Sequence, residues 1–264
     1  ALAPFVQKAQ FPFVSANVDF SADTLMKNLE LNTYTNKPQN GKIYDGIIKN
    51  VNGEKVGIFG LTTAETASIS SPGDVKFDDY ISSAKASVKA LKKQGVDKII
   101  ALTHIGYNDG GGDNDLELAN QVEGIDVIVG GHSHSQLDKP VVVEKYKEPT
   151  VIVQANEYSK FLGELDVSFD KKGKVIAYEG ELISVDAKNA DGSYIFADDP
   201  VAAQILAKYK PIVDAKKNQV VGSTTVDLIG GNPAARTGET NLGNLIADGM
   251  LAKAKTINPN TVIA

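Results

Sequence analysis

The sequence predicts an α/β fold. Three observations carry that reading: short apolar runs that are continuous rather than alternating, amphipathic helical patterns between them, and a later stretch of three strand patterns with no long helix. Continuous apolar strands belong to a sheet covered on both faces, and the change of pattern predicts a mixed or two-sheet core. In chain order, Pro4 to Ala9 reads as helix and residues 10–18 (QFPFVSANV) as a short buried strand. Residues 19–42 are polar and rich in Asn and Thr, and read as a surface excursion. Lys55–Leu61 (KVGIFGL) is the next strand. Asp79–Gln94 is a helix with Tyr80, Ile81, Ala84, Val88 and Leu91 on one face, Asp78 and Asp79 as N-cap and dipole partners, and Gly95 as its stop. Lys98–Thr103 (KIIALT), a short helix over Asn114–Val122, and the strand Ile125–Gly130 complete the alternation.

Thr150–Gln154, Gly163–Phe169 and Val175–Val185 then read as strands, the last two joined by a hairpin turn at 170–173. Asp199–Lys217 is a helix with Pro200 in its first turn and lysines towards its end; Pro211 is predicted to kink or split it. Val220–Ile229 reads as a strand, 230–233 as a loop, Thr240–Lys255 as a helix with Asn241 at its N-terminus, and Thr261–Ala264 as strand-like. About 45 residues are too few for a core of their own, so this last stretch is expected to open a second domain.

The chain has 264 residues with 27 Lys+Arg against 33 Asp+Glu, a net charge of −6. Nothing supplies the cationic excess that a nucleic-acid duplex needs, and Arg236 is the sole arginine. No apolar run approaches the roughly 20 residues of a membrane span. The absence of cysteine excludes disulfides, thiolate metal sites and a Cys nucleophile. The lysines at 85, 89, 92 and 93 read as solvated helix surface, and no G-K-[ST] follows the glycine triplet, which excludes a P-loop. The segment 108–115 (NDGGGDND) has the spelling of a calcium loop without its spaced bidentate Glu, and reads as a flexible loop bordering the site.

The three histidines all fall where a strand ends. His104 follows KIIALT, and His132 and His134 follow IDVIVGG. Ligands collect outside the carboxyl ends of strands in open α/β sheets, so neighbouring strands would bring the three imidazoles together. Imidazole suits Zn, Mn and similar ions. The Gly130-Gly131 pair allows the backbone to bend and to come close to an ion, so His132 and His134 would share one centre through such a bend or serve two metals lying side by side.

The run KIIALTHIGYNDGGGDNDLELANQVEGIDVIVGGHSHSQLDKP resembles the second half of a calcineurin-like metallophosphoesterase domain, and is closest in kind to the bacterial 5′-nucleotidase family. FPFVSANV, KVGIFGLTT, VIVQANEYSKFLGELDVSFD and RTGETNLGNLIADGM fit that family's order, so the resemblance covers nearly the whole chain. It implies a two-sheet αββα sandwich, of which residues 1–190 form the C-terminal part. It implies a linker helix over 191–218, and over 219–264 the start of a C-terminal α/β substrate-binding domain.

The activity it implies is a dinuclear-metal phosphomonoesterase acting on 5′-nucleotides, with a 2′,3′-cyclic-nucleotide 2′-phosphodiesterase/3′-nucleotidase as the alternative. A non-catalytic scaffold that keeps the fold is the alternative of another class. His104 and His132 would serve one metal, His134 its neighbour, and Arg236 would face the substrate. The two divalent ions, Zn, Mn or similar, would polarise the phosphoryl oxygens and supply a hydroxide nucleophile near neutral pH. The family's D-x-H, bridging G-D and G-N-H-E motifs are missing from these 264 residues. The chain is therefore expected to be inactive alone and to need an N-terminal segment of the same polypeptide. Such enzymes are exported, which sets the expected location outside the cytoplasm.

Overall fold

The computed structural model describes residues 2–108, 112–231 and 234–262. The chain divides into two compact units, one ending at Phe196 and the other beginning at Ala197. The first unit opens with α1 (Leu2–Lys8), β1 (Phe13–Val14), β2 (Val18–Asp19), β3 (Glu30–Thr35), β4 (Ile43–Val51) and β5 (Glu54–Thr62). It continues through α2 (Thr66–Ile69), β6 (Lys76–Phe77), α3 (Tyr80–Lys93), β7 (Lys98–His104), α4 (Asp115–Gln121) and β8 (Val127–Val129). It closes with β9 (Val141–Val143), β10 (Thr150–Val153), β11 (Phe161–Phe169) and β12 (Val175–Ser184). The second unit holds α5 (Pro200–Lys217), α6 (Ala234–Thr237) and α7 (Asn241–Lys255).

The fold is mixed α/β. Among the described residues eight strands share one sheet in the order β1-β4-β5-β7-β8-β10-β9, with β3 also on β4. β5, β7, β8 and β10 run parallel; β4 pairs antiparallel to β5 but parallel to β1 and β3, and β9 pairs antiparallel to β10. The apolar side chains that alternate to one face of these strands, Phe59, Leu61, Ile99, Ala101, Ile128 and Ile152, form one buried core with Ala84, Val88 and Leu91 of α3 and Leu118 of α4. α3 starts at Asp79, whose side chain accepts the Ser82 N–H, and carries Lys92 and Lys93 in its last turn.

On the opposite face, β11 and β12 form a separate antiparallel pair. A cleft of about 660 Å³ lies there, lined by Ile100, Val127 and Val153 of the large sheet and by Leu165, Val167 and Phe169 of β11. Helices on one side of a mixed sheet and a second small sheet on the other give the two-sheet layering expected from the sequence.

Three expectations are corrected and one unforeseen strand is added. The supposed excursion over 19–42 contains β3, a half-exposed strand paired to β4. β4 itself lacks a sequence signal because Asp45 and Gly46 interrupt its apolar run; Asn52, at φ 53°, and Gly53 turn the chain from β4 into β5. α5 is one helix through Pro211 rather than two. The donor Pro211 lacks is that of an exposed turn, where the Ala207 carbonyl stays open to solvent.

Val220–Ile229 is not a strand. The described residues of its unit offer it no partner strand, and Val220 and Val221 stay exposed. The segment's end is tied instead to α7: the Asn241 side chain accepts the Ile229 N–H at 2.7 Å and donates to the Asp227 carbonyl at 2.9 Å. The strand-like reading of 261–264 and the loop at 230–233 fall partly outside the described residues, as does the 108–115 loop.

Candidate metal centre

β7 and β8 are parallel neighbours, with Leu102 opposite Val129. Their carboxyl ends are tied by the Gly106 N–H, which donates to the Gly131 carbonyl at 3.0 Å, and the Thr63 N–H at the end of β5 donates to the His104 carbonyl at 3.0 Å. Three strand ends therefore meet at one edge. There the His104 and His132 rings lie edge to face, their centroids 5.2 Å apart.

The glycine pair makes this approach possible. A Cβ on Gly131 would stand 2.9 Å from His104 Nδ1, and one on Gly130 would stand 2.2 Å from the buried Asp115 carboxylate. The chain then bends sharply: His132 has φ 80° and His134 φ 55°. Left-handed backbone at a bulky residue costs on the order of 1–3 kcal/mol and concentrates at functional sites.

The bend separates the two histidines of H-S-H. His132 Nε2 meets Glu65 Oε2 at 3.2 Å. His134 is more exposed; its Nδ1 lies 2.7 Å from Glu157 Oε2, and its ring packs 5.7 Å from that of Tyr158. Burial, and then the neighbouring imidazoles of His132 and His134, hold His104 below the usual histidine range, so its ring is neutral at pH 7 and its lone pair is available. Hydrogen bonding from Lys160, with a smaller contribution from His134, holds the Glu157 carboxylate below its usual range.

Glu65 was not singled out in the sequence, although the rule that selects the histidines also reaches it, since it follows the carboxyl end of β5. Asp113 holds its loop: this buried carboxylate accepts Thr63 Oγ1 at 3.2 Å and the Ala64 N–H at 3.1 Å. The donor chemistry fits a divalent cation in part. Two converging imidazoles with a carboxylate beside them are borderline ligands of the kind Zn and Mn accept. Among the described residues no group of three or more His, Asp or Glu side chains is arranged to hold an ion unaided. The side chain of Arg236, in α6, lies outside the described residues.

The chain belongs to the calcineurin-like phosphoesterase family, whose sequence pattern matches residues 2–136. Proteins of this family use divalent metals. The chain is 46% identical over 253 residues to the trifunctional nucleotide phosphoesterase protein YfkN of Bacillus subtilis, covering 93% of this chain and 16% of that protein. It is 35% identical over 265 residues to the 5′-nucleotidase of Diplobatis ommata, covering 95% of this chain and 42% of that one. Its fold matches the crystal structure of a 5′-nucleotidase precursor from Thermus thermophilus with a TM-score of 0.76 and 38% identity, over 97% of this chain and 48% of that one. The chain thus spans less than half the length of these relatives. Among the described residues no helix is long and apolar enough to cross a membrane.

Proposed function

We propose that the complete protein is a dinuclear-metal phosphomonoesterase that hydrolyses nucleotides, 5′-nucleotides first, and that this chain supplies His104, His132 and His134 to its metals and Arg236 to its substrate. The observation that carries the reading is the meeting of the His104 and His132 rings, 5.2 Å apart, at the carboxyl ends of adjacent parallel strands. His104 and His132 serve one Zn, Mn or similar ion and His134 a second. The remaining ligands come from polypeptide beyond these 264 residues, since three imidazoles without a bridging carboxylate do not hold a pair of ions. Bound there, the ions polarise the phosphoryl oxygens and lower the pKa of attacking water.

The chain's own residues orient and hold. Imidazole ligands, unlike carboxylates, add no negative charge to repel a phosphate. Glu65 steadies His132, and Glu157 steadies His134, as carboxylates commonly do for ligating imidazoles. Residues 1–190 form part of the catalytic domain, 191–218 the linker, and 219–264 the opening of the substrate domain. The location is extracellular, cell-wall or periplasmic; three relatives are named snake venom 5′-nucleotidases.

A second reading is a 2′,3′-cyclic-nucleotide 2′-phosphodiesterase/3′-nucleotidase; the relative at 46% identity is named a trifunctional nucleotide phosphoesterase, a name that covers more than one activity on nucleotide esters. Phosphate release by the full-length protein from AMP and from 2′,3′-cAMP, with and without chelator, decides between them. Chelator-sensitive release from AMP supports the first reading, and release confined to the cyclic substrate supports the second. A protein that takes up no metal and releases phosphate from neither is the non-catalytic scaffold.

A further inference from the structure

We infer that Gln154 is the positioning residue of the His132–His134 segment: one buried amide grips the three residues that flank and separate the two histidines. This deepens the metal reading of those histidines and rests on it. Gln154 follows the end of β10 and is 2% exposed. Its Oε1 accepts the Ser135 N–H at 2.6 Å and the Ser133 hydroxyl at 3.2 Å, and its Nε2 donates to the Gly131 carbonyl at 3.3 Å. Residues 131, 133 and 135 are held and 132 and 134 are left to project, both in left-handed backbone.

Ser133 extends the grip, because its Oγ accepts the Tyr107 N–H at 2.9 Å and so couples the segment to the loop after His104. The left-handed backbone at His132 and His134 is unfavourable in itself, so the bend persists only where surrounding bonds over-determine it. Few side chains could make these bonds. The role needs an acceptor for an N–H and a donor for a carbonyl at one buried terminus, which an amide supplies and a carboxylate does not.

The test uses the full-length protein as wild type, Gln154→Met, Gln154→Glu and Thr150→Val. Thr150→Val removes another buried hydrogen bond of the same strand, from Thr150 Oγ1 to the Ile125 carbonyl at 2.7 Å, which does not touch the histidine segment. Amide hydrogen exchange at residues 131–135 is read in metal-free protein, and Mn²⁺ affinity is read by calorimetry. Gln154→Met is expected to speed exchange across the segment and to weaken Mn²⁺ binding about 10- to 100-fold. Gln154→Glu keeps the acceptor for Ser135 and restores part of the protection. Thr150→Val lowers the melting temperature with neither effect. Wild-type exchange in Gln154→Met, or equal acceleration in Thr150→Val, overturns the inference. A wild-type protein that binds no Mn²⁺, with exchange still accelerated in Gln154→Met, sinks the metal reading and leaves the role of Gln154 standing.

Discussion

The Glu65 carboxylate stands 3.2 Å from His132 Nε2 across the carboxyl edge of the sheet, joining the loop after β5 to the loop after β8. The carboxylate side chain is 47% exposed and the imidazole 20%. As an exposed pair it adds little to folding. Its effect is on the ring, whose orientation a carboxylate partner fixes.

Replacing Glu65 therefore separates binding from folding. Glu65→Ala in the full-length protein is expected to lower divalent-metal affinity about tenfold or more, with stability changed by less than about 0.5 kcal/mol. Calorimetric titration with Mn²⁺ beside thermal unfolding checks both; unchanged affinity removes Glu65 from the site.

Gly130 tests the close approach beneath the histidines. A methyl there would meet Asp115 Oδ2 at 2.2 Å and Gln154 Nε2 at 3.1 Å, with no flexible chain end free to yield. Asp115 is fully buried and accepts the Thr103 hydroxyl at 2.7 Å. Gly130→Ala is expected to destabilise by roughly 1–3 kcal/mol, read by denaturant unfolding. A neutral result would mean that the carboxylate can move away.

Asp126 gives a pH signature remote from the site. Burial, reinforced by Glu148 and Asp97, pushes its carboxyl up to about 7 against the opposing Ile99 N–H and Lys92. A raised folded-state pKa means that the native protein holds the proton longer than the unfolded chain. Stability is thus greatest below the unfolded value of 3.8, falls as pH rises towards 7, and is level above it. The full effect is on the order of 4 kcal/mol. Asp126→Asn stays neutral, so its melting temperature should gain on wild type between about pH 5 and about pH 8. An equal difference at both ends would show that Asp126 does not titrate in this window.

Asp79 tests the helix start that the sequence announces. Its side chain accepts the Ser82 N–H at 2.7 Å. Asp79→Ala should cost about 0.5–2 kcal/mol by chemical denaturation, and Asp79→Ser, which keeps a capping oxygen, should recover most of it.

What could be read from the chain follows from how much each element states locally. β7, β8 and β10 are each built on a short apolar run, and α3 carries its stripe, cap and glycine stop, so each announces itself within a dozen residues. β3 and β9 do not: ELNTYT is polar and half-exposed, VVV is three residues long, and both exist because a neighbouring strand supplies hydrogen bonds. Val220–Ile229 fails in the opposite sense, since its β-forming residues find no strand to pair with among the described residues. At the site, the histidines stand out because the chain has only three, all at strand ends. Glu65 and Gln154 also follow strand ends, but they belong to common residue types, and only the folded sheet edge distinguishes them from others of their kind. The divergence of His132 from His134 likewise depends on backbone angles that an H-x-H spacing does not encode.

The central claim is that His104 and His132 share one cation. The most direct measurement is anomalous scattering from crystals of the full-length protein grown with Mn²⁺. The account predicts a peak in ligating contact with both imidazoles, abolished in His132→Ala. A map in which the cation touches neither ring, while the two remain as close as they are here, would contradict it.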